Sequence, residues 1–216
     1  MKTLRAALLT VLATGSFAAA QNALALPSGW YDTVPAWTST ASACSVDESS
    51  TGKYEFSGTQ FRYLADNVSP ATNGGIFGTL YQPITVRCNV TPMYDYVPAQ
   101  QGELFEIPAS WKSVSWNSLV VGYKDPDGIS GNAQVSASLR RLDRTTMTES
   151  TIATFSSNSF APVVAGEELK QFSHTFDFLK NDYYVEINLI RKDKTVATPV
   201  VYSVRLTNGG ITPVIH

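Results

Sequence analysis

Tyr183-Tyr184-Val185-Glu186-Ile187-Asn188-Leu189-Ile190-Arg191 alternates in character almost without a break. Tyr183, Val185, Ile187 and Leu189 share one parity, while Tyr184, Glu186 and Asn188 share the other. Successive side chains of an extended chain point to opposite faces. This spacing therefore predicts a strand with one buried and one wetted side, not a helix.

The same grammar spreads outward from it. Lys192-Asp193-Lys194 reads as a turn into a second strand with Val200, Tyr202, Val204 and Leu206 on one face. Upstream, Asn181-Asp182 reads as a turn that follows a strand with Phe172, Phe176 and Phe178 on one side and Ser173, Thr175 and Asp177 on the other. Val135, Ala137 and Leu139 predict another strand with Ser136, Ser138 and Arg140 outward. Residues 147–155 predict a ragged one, since neither parity is cleanly apolar. Leu119, Val121 and Tyr123 lead into Asp125-Pro126-Asp127-Gly128, a turn in which proline presets one dihedral and glycine accepts positive φ. Only Gly166–Gln171 invites a helical turn.

The N-terminal half is less regular. Trp30, Tyr31 and Trp37 punctuate an extended lead-in rich in proline, serine and threonine. Residues 54–64 and 82–90 predict a strand pair, with Asn73-Gly74-Gly75 breaking the chain between them. In the second of these Ile84, Val86, Cys88 and Val90 share the apolar parity. Pro83 marks a strand start or an edge, because it has no amide hydrogen for a ladder. Many short strands at such intervals predict an all-β chain, an antiparallel β-sandwich or jelly roll tied by one disulfide.

Residues 1–25 read as a secretory signal peptide. Lys2 and Arg5 precede the apolar stretch around Leu8 and Leu12, and small residues offer cleavage after Ala20 or after Ala25. A permanent N-terminal anchor is the alternative reading. Residues 26–216 are then expected to form a single domain, because a separate N-terminal piece ending between Pro98 and Gly102 would hold two strands and be a poor independent fold. Downstream of residue 25 no apolar run approaches the roughly 18 residues that a membrane helix needs. Two cysteines, Cys44 and Cys88, in a chain leaving the cytoplasm predict a disulfide, with a pair of buried thiols as the alternative. Closing that loop is worth roughly 4 kcal/mol in the chain-entropy account.

At Cys88 a resemblance emerges. Ala43-Cys44, Ile84-Thr85-Val86-Arg87-Cys88, the Tyr123-Lys124-Asp125 segment and the Val135, Ala137, Leu139 strand resemble a broad group of bacterial secreted β-sandwich proteins. The resemblance covers about residues 40–206. In that group proline usually follows the second cysteine directly, whereas here Asn89-Val90-Thr91 intervenes before Pro92. The resemblance brings no catalytic residues with it.

Removing the leader takes two basic residues with it and moves the formal charge from −2 to −4. A weakly acidic chain lacks the basic footprint of nucleic-acid binding. Asp125, Asp127 and Asp182 are oxygen ligands that calcium would accept, against a plain β-turn. His174 shares the parity of Phe172 and Phe176 and is either a general base or a packed, hydrogen-bonded histidine, while His216 is the last residue. Glu103, Glu106, Glu167, Glu168 and Glu186 supply carboxylates from which a glycosidase pair would have to be drawn. Glu167 and Glu168 read instead as caps of the predicted helical turn.

Tyr94, Tyr96, Trp111 and Trp116 are the candidates for a binding face, with Tyr94 and Tyr96 pointing one way between Pro92 and Pro98. No cofactor motif, no Gly-x-Ser-x-Gly elbow and no zinc spacing is present. The expectation is a secreted, extracellular or periplasmic, non-catalytic surface, matrix or recognition module that contacts a glycan or protein surface. A carbohydrate-binding module and a secreted hydrolase are the alternatives, and edge strands leave an assembly role open.

Overall fold

Fifteen strands and three 3₁₀ turns account for the regular structure in the computed structural model, which describes residues 36–64, 81–101, 106–192 and 195–208. The strands are β1 (Trp37–Thr40), β2 (Ser45–Val46), β3 (Tyr54–Ser57), β4 (Gln60–Tyr63), β5 (Ile84–Asn89), β6 (Tyr94–Val97), β7 (Gln100–Gln101) and β8 (Glu106–Ile107). They continue as β9 (Ser110–Ser113), β10 (Ser118–Lys124), β11 (Ala133–Asp143), β12 (Thr148–Ser156), β13 (Gly166–Gln171), β14 (Asn181–Arg191) and β15 (Val200–Thr207). All belong to one compact unit, Val34–His216. Residues 1–25, Trp30, Tyr31, Asn73-Gly74-Gly75, Glu103, Asp193, Lys194 and His216 lie outside the described residues.

Two antiparallel sheets form the sandwich. The first runs β13-β10-β15-β4-β3, with β1 also on β15; the second runs β12-β11-β14-β5-β2. Their inner parities meet in one core, where Leu119, Val121, Leu139, Val185, Ile187, Leu189, Ile84, Val86, Val204 and Leu206 are buried. Each such side chain contributes on the order of 2 kcal/mol by leaving water. The all-β sandwich expected from the alternation is therefore the fold. β14 lies at the centre of its sheet, paired with β11 along all eleven residues, from Ala133 opposite Arg191 to Asp143 opposite Asn181. Cys44 and Cys88 form the disulfide, which ties the segment entering β2 to the core side of β5. No helix among the described residues is long and apolar enough to cross a membrane.

Five local expectations are corrected. Gly166–Gln171 is not a helical turn but edge strand β13, laddered to β10 from Ser118 opposite Gln171 to Tyr123 opposite Gly166. A six-residue stretch cannot nucleate a helix alone, and the charges of Glu167, Glu168 and Lys170 suit an edge exposed to water. Residues 172–177 are not a strand, because they cross from one sheet to the other and find no ladder. Their apolar parity survives as packing, with Phe176 and Phe178 buried. Residues 54–64 fold into the β3–β4 hairpin, whose partner strand is β15; β5 lies in the opposite sheet. Asn181-Asp182 opens β14 rather than turning the chain.

The fifth correction concerns β15. One step along β10, from Gly122 to Tyr123, matches two along β15, from Ser203 to Val201, so Tyr202 has no partner on β10. This bulge gives the core position to Val201, which is buried with Val204 and Leu206, and turns Tyr202 out of the predicted apolar row.

Candidate recognition surface

β6 and β9 form a small antiparallel pair outside the two main sheets, with Tyr96 directly opposite Trp111 and Tyr94 opposite Ser113. Pro92 and Pro98 bracket β6 and keep it short. The Tyr96 and Trp111 rings lie 5.0 Å apart, tilted at 55°, an arrangement worth about 1 kcal/mol beyond its buried area. Tyr94 rests edge-on against buried Phe178, 6.2 Å between centroids, which anchors the pair to the sandwich. Leu179, on the turn that follows Phe178, completes a shallow apolar depression with Tyr94 and Trp111. Tyr94, Tyr96, Trp111 and Leu179 are 41%, 52%, 69% and 81% exposed. Contiguous apolar surface of this kind is uncommon on a chain with no partner for it.

Of the four aromatics singled out by sequence, three share this platform. Trp116 does not: it is 1% exposed and sits edge-on to Phe176 at 5.2 Å, in the core. Its polar neighbours Ser115 and Asn117 disguised a link that tucks under the crossover. Leu179 was missed because its segment read as a continuous strand.

The other candidates are dispersed. Asp125 is fully buried and accepts the hydroxyl hydrogen of Ser157, while the backbone amide of Asp127 donates to it at 3.3 Å. Burial pushes its carboxyl up to about 6, with the Ser157 bond opposing and neighbouring Asp127 reinforcing the shift. Asp127 accepts from the amides of Asn132 and Ala133, both at 2.9 Å, as a turn-former does. Asp182 pairs with Arg144 at the far end of β14, so it does not join them. Among the described residues no three metal-ligating side chains gather.

His174 faces the Tyr183 hydroxyl at 3.3 Å and stands edge-on to Phe176. Burial, helped by Arg141, holds its pKa below the usual imidazole value. That hydroxyl also accepts the amide of Asp177 at 3.0 Å, so the pair anchors the crossover. Glu167 and Glu168 are neighbours on β13 and point to opposite faces. Glu167 binds Arg205 at 2.7 Å, whereas Glu186 binds Arg87 on the other sheet at 2.8 Å. Glu106 is placed only by its backbone in β8. Among the described side chains, Glu167, Glu168 and Glu186 form no facing pair across a cleft.

No protein-family model matches this chain, and no curated protein does. Among solved structures it is similar to a family two carbohydrate esterase from Cellvibrio japonicus, at 11% identity and a TM-score of 0.36. The match covers 81% of this chain and 34% of the esterase chain, so the present chain spans about a third of that protein's length. A likeness at that level bears on neither ligand nor activity.

Proposed function

We propose that this chain is a non-catalytic recognition module of a secreted protein, docking a partner protein through Tyr94, Tyr96, Trp111 and Leu179. One observation carries the reading: four large apolar side chains stand 41–81% exposed together on one small platform. Tyrosine and tryptophan dominate the energetics of protein contacts because they bury much area with few rotatable bonds. Leu179 adds an aliphatic knob, which suits an apolar protein patch better than the flat face of a sugar. The leader-like residues 1–25 and the Cys44–Cys88 disulfide support secretion, since such bonds persist in oxidising compartments. Scattered carboxylates and a His174 engaged with Tyr183 support a binding role over hydrolysis.

The test is capture from the secreted and envelope proteins of the source cells by wild type and by a Trp111→Ala/Tyr96→Ala variant. A protein retained by the first and lost by the second supports the reading. An identical set from both sinks it, and so does turnover of ester or glycoside substrates by the purified chain.

A further inference from the structure

The Tyr202 bulge lies at a polar cleft on the outer side of the first sheet, remote in chemistry from the aromatic platform. The cleft has a volume of about 430 Å³, within the range of small-molecule sites, roughly 300–1,000 Å³. Its polar lining is Glu55, Gln60, Arg62, Lys124, Thr198 and Tyr202, beside Tyr63, Ala197 and Val200. Arg62 stands opposite Glu55 in the β3–β4 hairpin and donates from Nε to Glu55 Oε1 at 2.7 Å. That bond uses one edge of the guanidinium and leaves its terminal nitrogens without a partner among the described residues. Lys124 is exposed at the end of β10 and has no ion pair among the described residues.

A bulge costs ladder pairing, and bulges recur where a side chain must be re-aimed. Here Tyr202 leaves the core row and joins the cleft. Gly122, at the same step, leaves room for the Ser203 hydroxyl: a Cβ there would lie 2.5 Å from Ser203 Oγ. The cleft thus combines a ring, a planar guanidinium fork, an ammonium, a carboxylate, an amide and two hydroxyls. Hydroxyl groups of a polyol both donate and accept, so they match Glu55, Gln60, Thr198 and the Tyr202 hydroxyl together. Two cations against one carboxylate leave a single positive charge, which fits one carboxylate per ligand unit. The guanidinium supplies the two-pronged geometry for it. A polyphosphate or a run of acidic side chains would instead meet repulsion from Glu55.

We infer that this cleft binds a uronic-acid residue of an acidic polysaccharide. The carboxylate lies against Arg62 and Lys124, the ring hydroxyls reach Glu55 and Gln60, and the sugar face covers Tyr202. This site is separate from the protein-docking platform, and neither depends on the other.

The experiment is calorimetric titration of the purified chain with short oligomers of galacturonic acid and of glucuronic acid. A neutral glucose oligomer and an oligo-aspartate peptide serve as comparisons. Saturable binding of a uronate oligomer is expected, at least about tenfold tighter than the neutral sugar and weakening as salt rises. Tyr202→Ala and Arg62→Gln should each weaken it by about tenfold or more, with Arg62→Lys intermediate and Trp111→Ala without effect. Lys124→Ala, an exposed strand-end change that leaves the fold alone, should weaken it by about threefold. Failure of both uronate oligomers to bind overturns the proposal. So does affinity indifferent to Tyr202→Ala and Lys124→Ala, or oligo-aspartate binding as tightly as the uronates, which would make this an acidic-peptide site.

Discussion

Ser157 donates its hydroxyl to the buried carboxyl of Asp125, and that bond joins the β10–β11 crossover to the β12–β13 crossover at one end of the sandwich. The same Ser157 oxygen accepts the amide of Val135 at 2.9 Å, so the start of β11 is held as well. Gly128 permits the loops to close on one another, since its φ is +63° and a Cβ there would lie 2.8 Å from the Ala161 carbonyl oxygen.

Stability should fall as pH rises through the Asp125 titration. Its folded pKa, about 6, lies above the unfolded 3.8, so the folded state holds a proton that the unfolded state releases in that window. The contribution is complete below 3.8 and gone above 6, and amounts to on the order of 2 kcal/mol. Asp47 has the opposite sign: bonds from Ser49 and then Arg87 lower it to about 2, so its contribution is lost only below 3.8. His174, lowered by burial, also loses stability as pH falls, starting from 6.5. Urea unfolding of wild type and Asp125→Asn at a series of pH values isolates the first effect. The difference between the two should shrink or change sign between pH 4 and 6, and a constant difference would count against it.

Two tryptophans predicted together should behave oppositely. Trp116→Ala should cost about 3–5 kcal/mol, because it empties a buried site against the edges of the stacked Phe176 and Phe178 rings. Trp111→Ala should cost about 1 kcal/mol or less in thermal unfolding, the worth of its ring contact with Tyr96, since the side chain is otherwise mostly in water.

Reduction of the Cys44–Cys88 bond should lower unfolding free energy by about 2–4 kcal/mol. Denaturant melts with and without reductant measure it. A change below about 1 kcal/mol would mean that the β2–β5 pairing holds the lead-in unaided.

Gly122→Ala should cost about 1–3 kcal/mol through its clash with Ser203 Oγ. Pairing it with Ser203→Ala should recover part of that loss, because the two sites share one contact. Additive losses in the double variant would rule out the clash as the cause.

How much of this was legible beforehand depended on the range of the interactions. The Tyr183–Leu189 row, the Val135–Leu139 row and the turn at Asp125-Pro126-Asp127-Gly128 all appear where alternation and turn chemistry put them. Tyr94 and Tyr96 share a face for the same reason. Trp111 joined them as one of several exposed-ring candidates, but no local rule separates it from Trp116. One pairs across a ladder and the other lies under a crossover, and both facts involve residues distant in sequence.

Alternation alone therefore determined that this is a two-faced β protein, because burial of one parity is a local consequence of strand geometry. Which sheet each strand enters, the edge ladder that makes Gly166–Gln171 a strand, and the bulge that exchanges Tyr202 for Val201 were decided by tertiary pairing. Hydrogen-bond partners across a sheet are chosen by the whole packed arrangement. Sites assembled from several strands, the Tyr202 cleft among them, come into being only when that arrangement closes.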